Sequence, residues 1–346
     1  MSSSAIPEVV KLRELGDIVS AVPHLLGFHP TESLVAVSLR GPRERLSFSL
    51  RLDLLPSEHD DEVASMFAER MKQAKADAVL LFVYTDAPHD GVDLPRRQLI
   101  ETLVRRLPMP VRDAVLVTAE RLWSYVCADP HCCPPEGRRR DPQSPGTLAL
   151  QAAHALHGDA VLPSRDAVVA AVSPIGGIAA RSMQQALNRA AAAYACIGAS
   201  DFLESSRQLM AEVMDRYADP PARLSDDETA QLVLALHDHV FRDEALLRCR
   251  RDEDLMRTLL QDLARRAMPP SDAPVCTLLG FVAYLKGEGV VAMTALERAL
   301  DTDPSYSLAR LLLAALQRQM TPRELRRILT QSVRRSARPA RQQRTV

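Results

Sequence analysis

The sole tryptophan and three of the six cysteines of this chain fall in one short window, Trp123 to Gly137, which carries Tyr125, Cys127, His131, Cys132 and Cys133. Thiolate sulfur and imidazole nitrogen are the donors zinc prefers, and four of them complete a tetrahedral site. Cys127, Cys132 and Cys133 with His131 therefore suffice in number for zinc. Their spacing is not that of two separated knuckles, however, and adjacent cysteines point apart unless the turn is distorted. A reading without metal also accounts for them, as a proline-stiffened loop whose small thiols pack under Trp123. A redox pair would need a Cys-x-x-Cys arrangement at a helix start, which lowers a thiol pKa, and the sequence has none. Cys196, Cys249 and Cys276 lie in helical contexts and are expected in the core.

A second group, Thr85 to Asp90, follows the apolar run Val79 to Tyr84. Loops at the carboxyl ends of such strands are where open sheets hold ligands. Asp86, His89 and Asp90 could bind a metal or serve as acid and base, and a polar turn uses the same residue types. Thr31, Glu32 and Ser33 could likewise recognise a ligand or form the turn into the first strand. His154 and His157 stand one helical i, i+3 step apart, and His237 and His239 flank Asp238, but neither pair has the further ligands a metal would need. Glycine-rich phosphate loops, a nucleophile elbow and a His-Glu-x-x-His helix are all missing. No catalytic residue and no cofactor is assigned. The candidate ligand or partner site comprises Trp123, Tyr125, Cys127, Cys132, Cys133, Asp86 and His89, with the three cysteines as the candidate metal ligands.

The elements that position these residues follow from periodicity. Ser33 to Leu39 and Leu46 to Leu54 predict a hairpin, in which Leu46, Phe48, Leu50, Leu52 and Leu54 alternate with Ser47, Ser49, Arg51 and Asp53 and leave one face wet. Helical spacing over Glu58 to Ala76 precedes the run Val79 to Tyr84, a central strand covered on both sides. A helix from Leu94 to Leu107 then leads to strands at Asp113 to Thr118 and Leu122 to Cys127. In the last of these, a period of two puts Trp123, Tyr125 and Cys127 on one face. Pro134 to Pro145, with Arg138, Arg139 and Arg140, reads as an exposed loop.

Beyond that loop the pattern is helical. Helices are expected at Leu148 to His157, Ser164 to Val172, Ile178 to Ile197, Asp201 to Tyr217, Ser225 to Val240, Asp252 to Arg266, Ala273 to Leu285, Gly289 to Leu300, Ser305 to Gln317 and Pro322 to Val333, with a capping box from Ser225 to Glu228. Gly280, Ala292, Leu296, Ala299 and Pro304 fall at the spacing of a tetratricopeptide repeat, although Ala283 stands where that repeat has tyrosine. A single such pair is equally an ordinary antiparallel hairpin.

A length of 346 residues exceeds what one core usually supports. We therefore expect a mixed α/β domain over residues 1–174, an all-helical domain over 175–333 and a disordered basic tail over 334–346. With 43 basic and 44 acidic residues the formal charge is -1, so no global field draws the chain to nucleic acid or anionic membrane. Nucleic acid could be reached only through the tail arginines, Arg334 to Arg344. The longest apolar run, Ala190 to Ala199, is too short to span a bilayer, and the first residues lack the pattern of an export signal. Cytoplasmic localisation and reduced thiols are the expectation.

Leu25 to Val35, Arg51 to Leu54 and Trp123 to Cys127 with Cys132, Cys133, Pro134 and Gly137 together resemble the actinobacterial domain-of-unknown-function family 4192. Leu278 to Tyr284, Gly287 to Gly289 and Ala295 to Ala309 are similar to that family's carboxyl-terminal part. The resemblance implies a source and a fold and places the cysteine loop within the family pattern, with His131 outside it, which counts against a four-ligand zinc. It carries no activity. The sequence then favours a non-enzymatic interaction or regulatory protein that engages a protein partner through its helical half. The alternative is a metal-dependent or small-molecule enzyme with its site at the strand ends beside the cysteine loop.

Overall fold

The computed structural model describes residues 12, 14–156, 161–219, 223–318 and 320–328. His157, the basic tail and the first eleven residues fall outside the described residues. The described chain divides into two compact units that meet between Arg165 and Asp166.

The first unit is built on a six-stranded mixed sheet, ordered β2-β1-β3-β4-β5-β6. Strand β1 (Ser33–Arg40) pairs antiparallel with β2 (Arg45–Asp53) on one side and with β3 (Ala78–Tyr84) on the other, while β4 (Val111–Val117) runs parallel to β3. Every residue of β3 is buried, as a continuous apolar run in a central strand requires. The pairings Leu34↔Val83, Ala36↔Leu81, Leu81↔Ala114 and Val83↔Leu116 line up one apolar face. Helices α2 (Asp60–Gln73) and α3 (Arg97–Arg106) cover it with Val63, Phe67, Met71, Leu99, Ile100 and Leu103. On the reverse face Val35, Val37, Phe82 and Val115 are buried too. Strand β2 at the edge departs from the expected strict alternation: its register shifts opposite Val37 and Leu39, Ser49 and Arg51 are half-buried, and Phe48, Leu50 and Leu52 pack only partly against the core.

Three features correct the sequence reading here. Helix α1 (Leu15–Leu26), which Gly16 and Pro23 conceal from a propensity argument, ends in a left-handed cap at Gly27 and packs on α4 (Pro145–Leu156). Strand β5 stops at Ser124 rather than Cys127, covering only Arg121–Ser124. The segment expected as open loop supplies a sixth strand, β6 (Arg138–Arg139), with the pairs Arg121↔Arg139 and Leu122↔Arg138.

The second unit is helical throughout: α5 (Arg165–Val172), α6 (Gly177–Ile197), α7 (Ala199–Tyr217), α8 (Asp226–Ala235), α9 (His239–Arg251), α10 (Glu253–Arg266), α11 (Ala273–Lys286), α12 (Gly289–Thr302) and α13 (Ser307–Gln317), with further helix over 322–328. The helix expected over Ser225 to Val240 is broken. Leu236, His237 and Asp238 separate α8 from α9, and the Asp238 carboxylate accepts the Val240 and Phe241 N–H groups as an N-cap. His237 and His239 thus flank a cap. Helix α11 is buried from Ala273 to Leu285 and forms the axis of this unit. It meets α12 so closely that a Cβ on Gly280 would lie 2.7 Å from Leu296 Cγ. One close hairpin is what an isolated helix pair and a single repeat would both give. The Arg298 guanidinium donates to the Val172, Ala264 and Ala267 carbonyls and to the fully buried Asp272 carboxylate, closing the ends of α5 and α10.

Candidate functional site

The cysteine window forms the long connection between β5 and β6. Its start is fixed by Ser124, whose hydroxyl donates to Asp113 Oδ1 at 2.8 Å and accepts the N–H groups of Val126 and Cys127. Those two bonds turn the chain out of the ladder and end β5. Burial raises the Asp113 carboxyl above its usual range, against the opposing effect of the Ser124 bond. Its middle is fixed by Asp129, whose side chain accepts the His131 N–H while its carbonyl accepts the N–H groups of Cys132 and Cys133. Its end is fixed by Trp123, which donates from Nε1 to the Pro135 carbonyl at 2.9 Å. Gly137 sits against the indole at φ +76°, where a Cβ would fall 2.3 Å from Trp123 Cε2. Gly91, at φ +85°, lies so near the loop that a Cβ there would meet the Pro135 carbonyl oxygen at 1.9 Å. Only glycine fits at either place.

The consequence for the thiols runs against expectation. The Asp129 turn folds Cys132 and Cys133 back so that the sulfurs of Cys127, Cys132 and Cys133 all lie within 4.8 Å of one another. Cys132 is exposed and the other two are half-buried. Burial, followed by the hydrogen bonds and charges of its two neighbours, pushes the Cys133 thiol up to about 12. His131 is exposed and stands outside the cluster.

A cleft of about 330 Å³ adjoins the thiols, with Leu94, Arg97, Trp123, Tyr125, Cys127 and Cys133 in its walls. The Leu116↔Trp123 register places Trp123 on the helix-covered face of the sheet, and Tyr125 follows it there. Tyr125 is pinned through its hydroxyl to the Pro95 carbonyl, has its pKa raised by burial, and lies under the Arg97 guanidinium at 6.0 Å. His89 joins the edge of this group, its ring perpendicular to Trp123 with centroids 4.4 Å apart, while its Nδ1 accepts the Gly91 N–H. Asp86 does not join it. Its carboxylate accepts the Ala119 N–H in the turn between β4 and β5. Asp90 closes its own turn, accepting from Val92 and Asp93, bonds that hold its carboxyl below the usual range, Asp93 foremost. Of the seven expected residues, the structure gathers Trp123, Tyr125, Cys127, Cys132, Cys133 and His89, and separates Asp86. Sequence reasoning missed Arg97 and Gly91; the positive φ at Gly91 had no readable signal, and Arg97 falls within the helix expected over Leu94 to Leu107, where nothing in the period singles it out.

The other candidates resolve into local contacts. Glu32 accepts the Thr85 hydroxyl at 2.7 Å, the Ser33 hydroxyl donates to the Thr31 carbonyl and accepts from Arg51, and the His154 ring stacks on His24 at 4.2 Å.

Against known proteins, residues 16–323 match the domain of unknown function DUF4192. The chain belongs to this family. No curated protein and no solved structure matches it. Membership covers both units of this DUF4192 chain and assigns neither a reaction. Among the described residues, no helix is long and apolar enough to cross a membrane.

Proposed function

We propose that this DUF4192 chain is a protein-interaction module whose contact element is the projecting end of the α6–α7 hairpin, and that the partner is a second copy of the chain. The observation that carries the reading is a mismatch between composition and burial. Helix α6 is held by its first half, where Met183, Ala186 and Leu187 are buried, Ser182 donates to Asp226 and Arg189 pairs with Asp227 at 2.6 Å. After Arg189 no charged residue occurs until Asp201, yet every residue from Ala191 to Asp201 is exposed.

A helix that is apolar all round belongs in a core, as α11 illustrates in this same unit. The end of α6 has that composition without the cover. Tyr194 is 46 % exposed and Ile197 49 %, and the Tyr194 ring meets Phe202 edge-on at 5.2 Å, which ties the start of α7 to the tip. From Ala190 to Ser200 this surface carries no charge, so apolar contact and not ion pairing would hold a partner there. Small alanine side chains let helices approach closely, and a two-fold axis would set the same uncovered patch of each chain against the other.

The test uses Cys196, exposed at the tip. A short bis-maleimide reagent should join two chains through it at micromolar protein, and Cys196→Ser should abolish the product. Ile197→Glu should do the same by burying an unpaired charge, weakening pairing at least about 100-fold for a cost near 3 kcal/mol. Equal cross-linking in wild type and Ile197→Glu would overturn the reading.

A further inference from the structure

We propose that Cys127, Cys132 and Cys133 form a binding site for one thiophilic metal ion, with zinc as the representative cation. The inference stands on convergence and on surroundings, and it is independent of the self-pairing above.

Convergence comes first. Zinc–sulfur bonds of 2.3 Å in a tetrahedron separate thiolates by about 3.8 Å. The three sulfurs lie within 4.8 Å of one another, so they need close by no more than about 1 Å, which side-chain rotation supplies. Their backbones are already held: Ser124 fixes the Cys127 N–H and Asp129 fixes those of Cys132 and Cys133. Among the described residues, no other group of histidine, cysteine or acidic side chains converges in this way.

Surroundings come second. Thiols that serve packing are buried among hydrocarbon, as Cys249 and Cys276 are in the helical core. The cluster thiols belong to neither apolar core, and Cys132 faces solvent. A loop held by two glycines that tolerate no Cβ, around three partly exposed thiols, is costly to build for packing alone. Three thiolates leave a divalent ion with one net negative charge and one coordination position open, to water or an incoming donor. Such an ion is a weak Lewis acid, so the site is one for holding metal and not for activating water.

Each bound ion displaces three thiol protons, which pass to buffer, so occupancy is read directly as thiol protection. Full-length protein, stripped of metal and kept under a phosphine reductant, is titrated with zinc and separately with cobalt(II). We expect one equivalent to bind, Cys127, Cys132 and Cys133 to become unreactive toward a maleimide while exposed Cys196 stays reactive, and cobalt to show sulfur-to-metal charge transfer with tetrahedral d–d bands. Cys132→Ser, at an exposed position, should keep the native Trp123 emission and weaken binding at least about 100-fold, since changes outside the ligand shell alone cost 10–100-fold. Labelling of Cys127, Cys132 and Cys133 that equimolar zinc leaves unchanged would overturn the proposal. So would undiminished binding by the Cys127→Ser, Cys132→Ser, Cys133→Ser triple variant.

Discussion

Replacing Gly137 with alanine tests how the cysteine loop is held, because the same backbone conformation occurs elsewhere without the contact. Gly137 has φ +76° and Gly41 has φ +72°, so alanine at either adopts a left-handed conformation that costs about 1–2 kcal/mol. At Gly41, in the β1–β2 turn, an added Cβ meets nothing within 4 Å. At Gly137 it falls 2.3, 2.6 and 2.8 Å from three atoms of the Trp123 indole. That ring cannot swing aside without losing its bond to the Pro135 carbonyl. Overpacking of this kind costs about 1–3 kcal/mol more. Gly41→Ala should therefore lose about 1–2 kcal/mol and Gly137→Ala about 2–5 kcal/mol. At about 2–4 °C per kcal/mol for a unit of this size, the second variant should melt some 2–12 °C below the first. Trp123 is the sole tryptophan, so its emission during heating reports the sheet unit directly. Equal losses in the two variants would show that the indole does not pin the loop.

Three further outcomes follow from the same geometry. Arg298→Met should destabilise the helical unit by about 3–5 kcal/mol, measured by urea unfolding followed by circular dichroism, because it strands the fully buried Asp272 carboxylate. Gly280→Ala should lower the same midpoint, since the new methyl meets Leu296 Cγ at 2.7 Å, and its combination with Leu296→Ala should lose less than the two single losses together. In native metal-free protein a maleimide should label Cys196 and Cys132 first and leave Cys249 and Cys276 until denaturant is added. Burial pushes the Cys276 thiol up to about 12, so the folded state keeps a proton that the unfolded chain releases. The stability this contributes is complete below about pH 8.5 and fades as pH rises toward 12.

Periodicity carried most of the architecture. The apolar run of β3 and the β1–β2 hairpin could be read directly, and so could the helix stripes that became α2 and α3. Helix α9 carried a signal that went unread: Phe241, Ala245, Leu246 and Cys249 recur at helical spacing behind the Asp238 cap, all four buried. Strand β6 had none, since two arginines show no period and its place is fixed by ladder bonds and by Arg121 donating to the Glu136 and Gly137 carbonyls. The site was legible as a concentration of residue types and not as a geometry. Adjacent cysteines come together only because one side chain, Ser124, and one carbonyl, that of Asp129, redirect the backbone. The alanine-rich stretch was visible as a run too short for a membrane. That it projects uncovered depends on where α8 stops holding α6.

Sedimentation equilibrium of the unmodified chain over the micromolar range reads self-pairing through that stretch. The single chain has a mass of 38.2 kDa. We predict that the weight-average mass climbs with concentration toward twice that value and that Ile197→Glu holds it at one chain. A mass of one chain at every concentration in the unmodified protein would rule the pairing out.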